Sequence, residues 1–172
     1  TFFSTSTAKN KDIKNVNDLN LKEFDKAVNN VLLNLAKRVV SDGEGASKFI
    51  QIEVLKCKTE EDAKKIGFSI ANSYLVKTAI AGEDPNWGRI IMAVGKAEVD
   101  LNINSINLLI GNNKVLDKGQ LSKSYSEQNL KEYMKNDSLR IILEMNLGKK
   151  NFKCYTMDLT KDYIEINADY RS

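Results

Sequence analysis

Histidine is absent from this 172-residue chain. Its absence removes Ser/His/Asp and Cys/His nucleophilic machinery and every histidine-containing zinc site. The two cysteines, Cys57 and Cys154, are too few for a tetrahedral metal set and too far apart in sequence to suggest one. Each falls in an alternating, strand-like stretch, so they read as buried thiols of a reducing compartment rather than as a disulfide. Charge of one sign is lacking too. Lysine plus arginine number 26 against 23 acidic residues, a net +3 that is too weak to imply nucleic acid or an anionic membrane. No apolar run approaches the roughly 18–20 residues of a membrane span, and the first residues show no basic region followed by an apolar stretch. If the chain is catalytic, its proton transfers must use a carboxylate, a lysine, a terminal amine or a partner chain.

What is present is ordinary for a soluble globular protein: 42% hydrophobic and 28% charged residues, in a length that supports a single domain over residues 1–172 with a real core. Residues 5–20 are polar and read as a loop. The apolar positions Leu21, Phe24, Val28, Val31, Leu32, Leu35 and Val39 have helical spacing with one buried stripe, Asn20 as a cap and Gly43 just beyond the end. Phe49 to Cys57 alternates as a half-buried strand. Thr59-Glu60-Glu61-Asp62 opens a second helix, because the threonine caps and the acids suit the positive end. Its buried face is read as Ala63, Ile66, Ile70 and Tyr74. A break holds Gly82 and the only proline, Pro85. A third helix follows from Trp87 to Val94, with Asn86 as cap.

Val99, Leu101 and Ile103 alternate, as do Ile106, Leu108 and Ile110, and Gly111-Asn112-Asn113 reads as a turn into Val115-Leu116. Ser126 to Lys135 is a short helix. Leu139 to Leu147 and Phe152 to Thr156 alternate on either side of Gly148-Lys149-Lys150, which predicts a hairpin. Tyr163, Ile164 and Ile166 read as a last strand. The pattern is α/β, with mixed layers of strands and helices.

Three segments are not required by this periodicity. Asp42-Gly43-Glu44-Gly45-Ala46-Ser47-Lys48 precedes the first strand. Its plain reading is a helix stop and glycine turn. Its functional reading is a backbone that approaches a ligand closely, with Glu44 placed to meet an ammonium group. Gly82-Glu83-Asp84-Pro85-Asn86-Trp87-Gly88-Arg89 reads equally as an interhelical turn anchored by Trp87 or as a pocket-lining loop. The last residues, Ile166-Asn167-Ala168-Asp169-Tyr170-Arg171-Ser172, are a polar chain end that by itself signals nothing.

Together these segments, in their order and positions, resemble the signature segments of the ornithine acetyltransferase (glutamate N-acetyltransferase) family. The resemblance runs over essentially the whole chain, as the C-terminal part of the family's β chain. It implies a sandwich of mixed sheets flanked by helices, of the self-processing, N-terminal-nucleophile type. It implies an enzyme made as one precursor, cleaved before a threonine whose own α-amine, of pKa near ~8, serves as base without histidine. It implies ping-pong transfer of acetyl from acetylornithine to glutamate, with the oxyanion held by groups of the α chain. It further implies an α chain from the same precursor as partner, an α2β2 assembly, a cytoplasmic setting and no cofactor, acetyl-CoA entering only as an optional acetyl donor. Carried over position by position, the family's substrate-binding residues match Glu44, Asn167 and Ser172, the last replacing the family's usual threonine with another hydroxyl.

The resemblance bears on the first residue as well. In the family a strand, a helix and a further signature segment separate the nucleophile from the region matched by Phe2-Phe3-Ser4-Thr5. The chain therefore reads as lacking roughly forty residues, with the nucleophilic threonine upstream of Thr1 and the polypeptide inactive alone. A shortened β chain using Thr1, a related self-processing aminopeptidase, and an inactive subunit are the competing readings.

Overall fold

The computed structural model describes residues 9, 13 and 15–169. The chain forms two compact units, Thr1–Arg38 and Val39–Ser172. The described part of the first is mostly one helix, α1 (Leu19–Ser41), whose residues from Val39 on are counted with the second. The helical spacing of its apolar residues is as expected, but two details differ. The helix starts at Leu19, so Asn20 lies within its first turn rather than at the cap. The stripe is also not buried: among the described residues of the first unit, Phe24, Val31, Leu32 and Leu35 are all exposed.

The second unit is built on one mixed six-stranded sheet. Its strands are β1 (Phe49–Cys57), β2 (Asn107–Ile110), β3 (Asn113–Asp117), β4 (Gln120–Leu121), β5 (Ser138–Glu144) and β6 (Lys150–Met157), in the order β4-β3-β2-β5-β1-β6. Only β1 and β5 run parallel; the other pairs are antiparallel. Register explains the core. Cys154, Ile52, Ile141 and Ile110 form one cross-strand row, and Phe152, Val54, Leu143 and Leu108 the next. Ile52, Val54, Leu108 and Leu143 have no exposed surface, each burial stabilising by about 1.5–3 kcal/mol. Helix α2 (Glu60–Ala71) covers this face over β1 and β6. Thr59 caps it by accepting from Asp62 N–H at 3.0 Å. Gly67 lets it approach closely, since a Cβ there would stand 2.8 Å from the Phe152 ring.

Several expectations are corrected. Residues 138–144 and 150–157 are strands but do not form a hairpin, because β1 lies between them. The connection crosses the end of β1, where the amides of Leu147 and Gly148 both donate to the Lys56 carbonyl. A Cβ on Gly148 would stand 2.3 Å from the Cys57 oxygen, so that glycine serves a close crossing rather than a two-strand turn. Tyr74 is not on the buried face of α2. That helix stops at Ala71, Ser73 caps a new helix α3 (Tyr74–Ala81), and Tyr74 is exposed. Asn86 sits at the N-terminus of α4 (Trp87–Gly95) but makes no cap bond, its amide donating instead to Asp84 at 3.2 Å. Val99 and Leu101 are not in a strand, and a single 3-10 turn, Ile103–Ser105, precedes β2. The short helix expected from Ser126 is α5 (Glu127–Met134), with Ser126 as its cap. The last strand is replaced by a helix, α6 (Lys161–Ala168). Among the described residues no helix is long and apolar enough to cross a membrane.

Candidate substrate site

The turn at 42–48 and the segment at 158–168 are far apart in sequence and joined in space. Glu44 and Asn167 meet directly: the Asn167 Nδ2 donates to Glu44 Oε2 at 2.9 Å and to the Tyr163 carbonyl at 2.8 Å. Both hydrogens of the amide are thereby used, which fixes the amide orientation. Each side chain keeps one oxygen, Glu44 Oε1 and Asn167 Oδ1, outside this bond. Two neighbouring acceptors, one of them on a carboxylate, suit an ammonium ligand.

Backbone geometry brings the two segments together. Gly45 has a φ of +65°, the left-handed conformation that glycine adopts without steric cost. A Cβ there would lie 2.5 Å from the Tyr163 nitrogen, so the turn rests against the first turn of α6. Thr160, at the N-terminus of α6, donates its hydroxyl to the Gly45 carbonyl at 2.6 Å. Asp158, only 1% exposed, accepts from Ser47 N–H and Lys48 N–H, both at 2.9 Å, and from the Ser47 hydroxyl at 2.5 Å.

The segment at 82–89 meets the end of the turn through Lys48. Lys48 is buried, and its ammonium pairs with Glu83 at 3.1 Å and donates to the Asn136 carbonyl at 3.3 Å. Glu83 holds a left-handed φ of 54°, uncommon for a glutamate. Trp87 packs against the core. The remaining space under this segment is an apolar cavity of about 10 Å3 lined by residues such as Ile80, Trp87 and Ile141, too small for a substrate. The segment therefore acts as a brace for the turn and an anchor in the core.

A cleft of about 190 Å3 lies beside the turn, lined by Val40, Ser41, Ala46, Ser47, Lys48, Phe49 and Asp137. It is smaller than the roughly 300–1,000 Å3 of drug-sized sites and is of a scale for a small ligand. Ser172 and Thr1 lie outside the described residues. Burial pushes the thiols of Cys57 and Cys154 up to about 11, and Asp62 adds to the shift at Cys57, so neither is poised as a nucleophile. Sequence reasoning missed Asp158 and Thr160. An aspartate two residues before a threonine carries no signal until its partners, more than a hundred positions away, are known.

Comparison with known proteins follows the same segments. The model of the ArgJ family matches residues 1–172. The chain is 44% identical over 173 residues to the arginine biosynthesis bifunctional protein ArgJ of Brucella melitensis, covering 99% of this chain and 42% of that protein. It is 49% identical over 150 residues to the protein of that name from Ruegeria pomeroyi, covering 87% of this chain and 37% of that one. The chain thus spans about two-fifths of the length of these curated relatives. The crystal structure of arginine biosynthesis bifunctional protein ArgJ from Bacillus halodurans superposes with a TM-score of 0.87 at 34% identity, covering 93% of this chain and 75% of that one.

Proposed function

The chain belongs to the ArgJ family, and from that premise we propose that it supplies a substrate-binding part of an acyltransferase of arginine biosynthesis. In this reading acetylornithine gives its acetyl group to a threonine hydroxyl and ornithine leaves. Glutamate then takes the acetyl group by attack of its α-amine on the acyl ester, which frees the threonine. Glu44 and Asn167 receive the side-chain ammonium of acetylornithine, with Ser172 as a third contact. In this reading the threonine is the first residue of a processed chain, its α-amine serving as base. The oxyanion groups come from an α chain of the same precursor in an α2β2 assembly, acting in the cytoplasm. No cofactor enters, and acetyl-CoA is at most a second acetyl donor.

One observation carries the reading: the 2.9 Å bond between Asn167 and Glu44. Resemblance assigns these two residues to one substrate from opposite ends of the chain, and they lie side by side. The site offers oxygen acceptors and neither a histidine nor a reactive cysteine, which suits binding of a cationic amino acid rather than hydrolysis by a side-chain triad.

The test uses Glu44→Gln and Asn167→Ala in the full-length protein, with acetyl transfer from acetylornithine to glutamate followed at varied substrate concentrations. Both variants are expected to raise the KM for acetylornithine by roughly tenfold, the loss of about one charge-assisted bond. Unchanged KM values for both substrates would sink the assignment. Cleavage of peptides in place of acetyl transfer would turn the reading toward an aminopeptidase.

A further inference from the structure

We propose that Asp158 is a positioning residue for the substrate carboxylate Glu44, acting through the backbone of the turn. This rests on the reading of Glu44 as a substrate contact. Glu44 is exposed and sits in a glycine-flanked turn. Such a turn holds one geometry only if its backbone donors are tied down. Two of them, at Ser47 and Lys48, converge on a single buried oxygen, Asp158 Oδ1. The second carboxylate oxygen takes the Ser47 hydroxyl. Three donors on one carboxylate form a rigid clamp of charge-assisted bonds.

The location of Asp158 adds to the case. It occupies the junction between the end of β6 and the start of α6, so the same junction orients the turn and the helix that carries Asn167. Its neighbour Leu159 donates its amide to the Lys77 carbonyl, which ties the junction to α3. The Lys77 ammonium is pushed down by burial and back up by Asp158, so a cation stands near the clamp. A shift of this junction would move both halves of the Glu44–Asn167 pair.

The test compares Asp158→Ala, Ser47→Ala, Glu44→Gln and the double variant Asp158→Ala/Glu44→Gln in the full-length protein. Three things are expected. Asp158→Ala raises the KM for acetylornithine roughly tenfold or more while kcat falls less. Ser47→Ala, which loses one of the three bonds, shows a smaller rise in the same direction. The double variant falls short of the sum of the two single effects, because Asp158→Ala acts largely through the contact that Glu44→Gln already removes. Amide hydrogen exchange is the second readout. It should quicken at Ser47 and Lys48 in Asp158→Ala while Ile52 and Ile141 stay protected.

Additive effects in the double variant, or unchanged exchange at Ser47 and Lys48, overturn the proposal. If Asp158→Ala does not fold, Ser47→Ala decides: an unchanged KM with Glu44→Gln impaired counts against the clamp. If Glu44→Gln itself leaves KM unchanged, the substrate reading falls first and the proposal falls with it. If Glu44→Gln raises KM and neither clamp variant does, the proposal alone is lost.

Discussion

Gly45 joins two requirements at one residue. Its φ of +65° disfavours any side chain, and the space where a Cβ would go is filled by the backbone of Tyr163 and Asp162. Gly43 differs in kind: a Cβ there would meet the sulfur and methyl of Met157, a side chain that can rotate away. Gly45→Ala is therefore expected to destabilise by about 1–3 kcal/mol and to weaken acetylornithine binding, with Gly43→Ala milder on both counts. Thermal melts and KM values on the two variants check this, and equal effects would show that the contact with α6 does not matter. The same contact explains why the signature is not read from glycine spacing alone. A turn residue needs φ > 0 in many proteins, but here it also needs a helix with no room left beneath it.

Among the strands, β1 carries the clearest buried charge. Glu53 faces away from the aliphatic rows and is 7% exposed. Its Oε1 accepts from Arg140 Nε at 2.7 Å and from Gln51 at 2.5 Å, with the Lys153 ammonium at 3.5 Å. The Arg140 hydrogen bond is the main cause holding its carboxyl below the ordinary 4.5; burial opposes it, while Gln51 and Lys153 add to it. A carboxyl whose folded value is depressed stabilises the fold above its ordinary pKa and loses that contribution as pH falls through the folded value. Glu53→Gln should thus lower the Tm at neutral pH, by about 1–2 kcal/mol of stability, with the gap to the native chain closing below pH 4.5. A gap that widens on acidification would contradict this account.

Strands β1, β2, β3, β5 and β6 and helices α1, α2, α4 and α5 were legible in the sequence because each leaves a local period, as Ile50, Ile52 and Val54 do. The two-residue β4 and the separate α3 leave none. Pairing was not legible. Alternation on both sides of Gly148 looks the same whether two strands touch or flank a third, and β1 lies ninety-odd residues earlier in the chain. The last helix was also hidden, since Tyr163, Ile164 and Ile166 bury no face and so give no helical stripe. Of the site, Glu44 and Asn167 were reached through resemblance, and the bond between them came only with the fold.

At the scale of the molecule, the two thiols report on the sheet as a whole. Cys57 lies at the end of β1 and Cys154 within β6, both buried and both pushed up to about 11. Reaction with a disulfide reagent at pH 8 is expected to be slow and to accelerate with denaturant along the main unfolding transition. Rapid stoichiometric labelling of the folded protein would mean that the β1–β6 edge opens separately from the rest.

The crossing of β1 by the β5–β6 connection also has a meaning in time. A ribosome delivers residues 49–57 long before residues 138–157, yet the strands hydrogen-bonded to β1 are β5 and β6. Until residues 138–157 emerge, β1 has both edges bare and must be kept from pairing with other chains. The turn bearing Glu44 adjoins that strand and waits still longer, for Asp158 and Asn167. Glu44 is thus synthesised more than a hundred residues before the groups that give it its position.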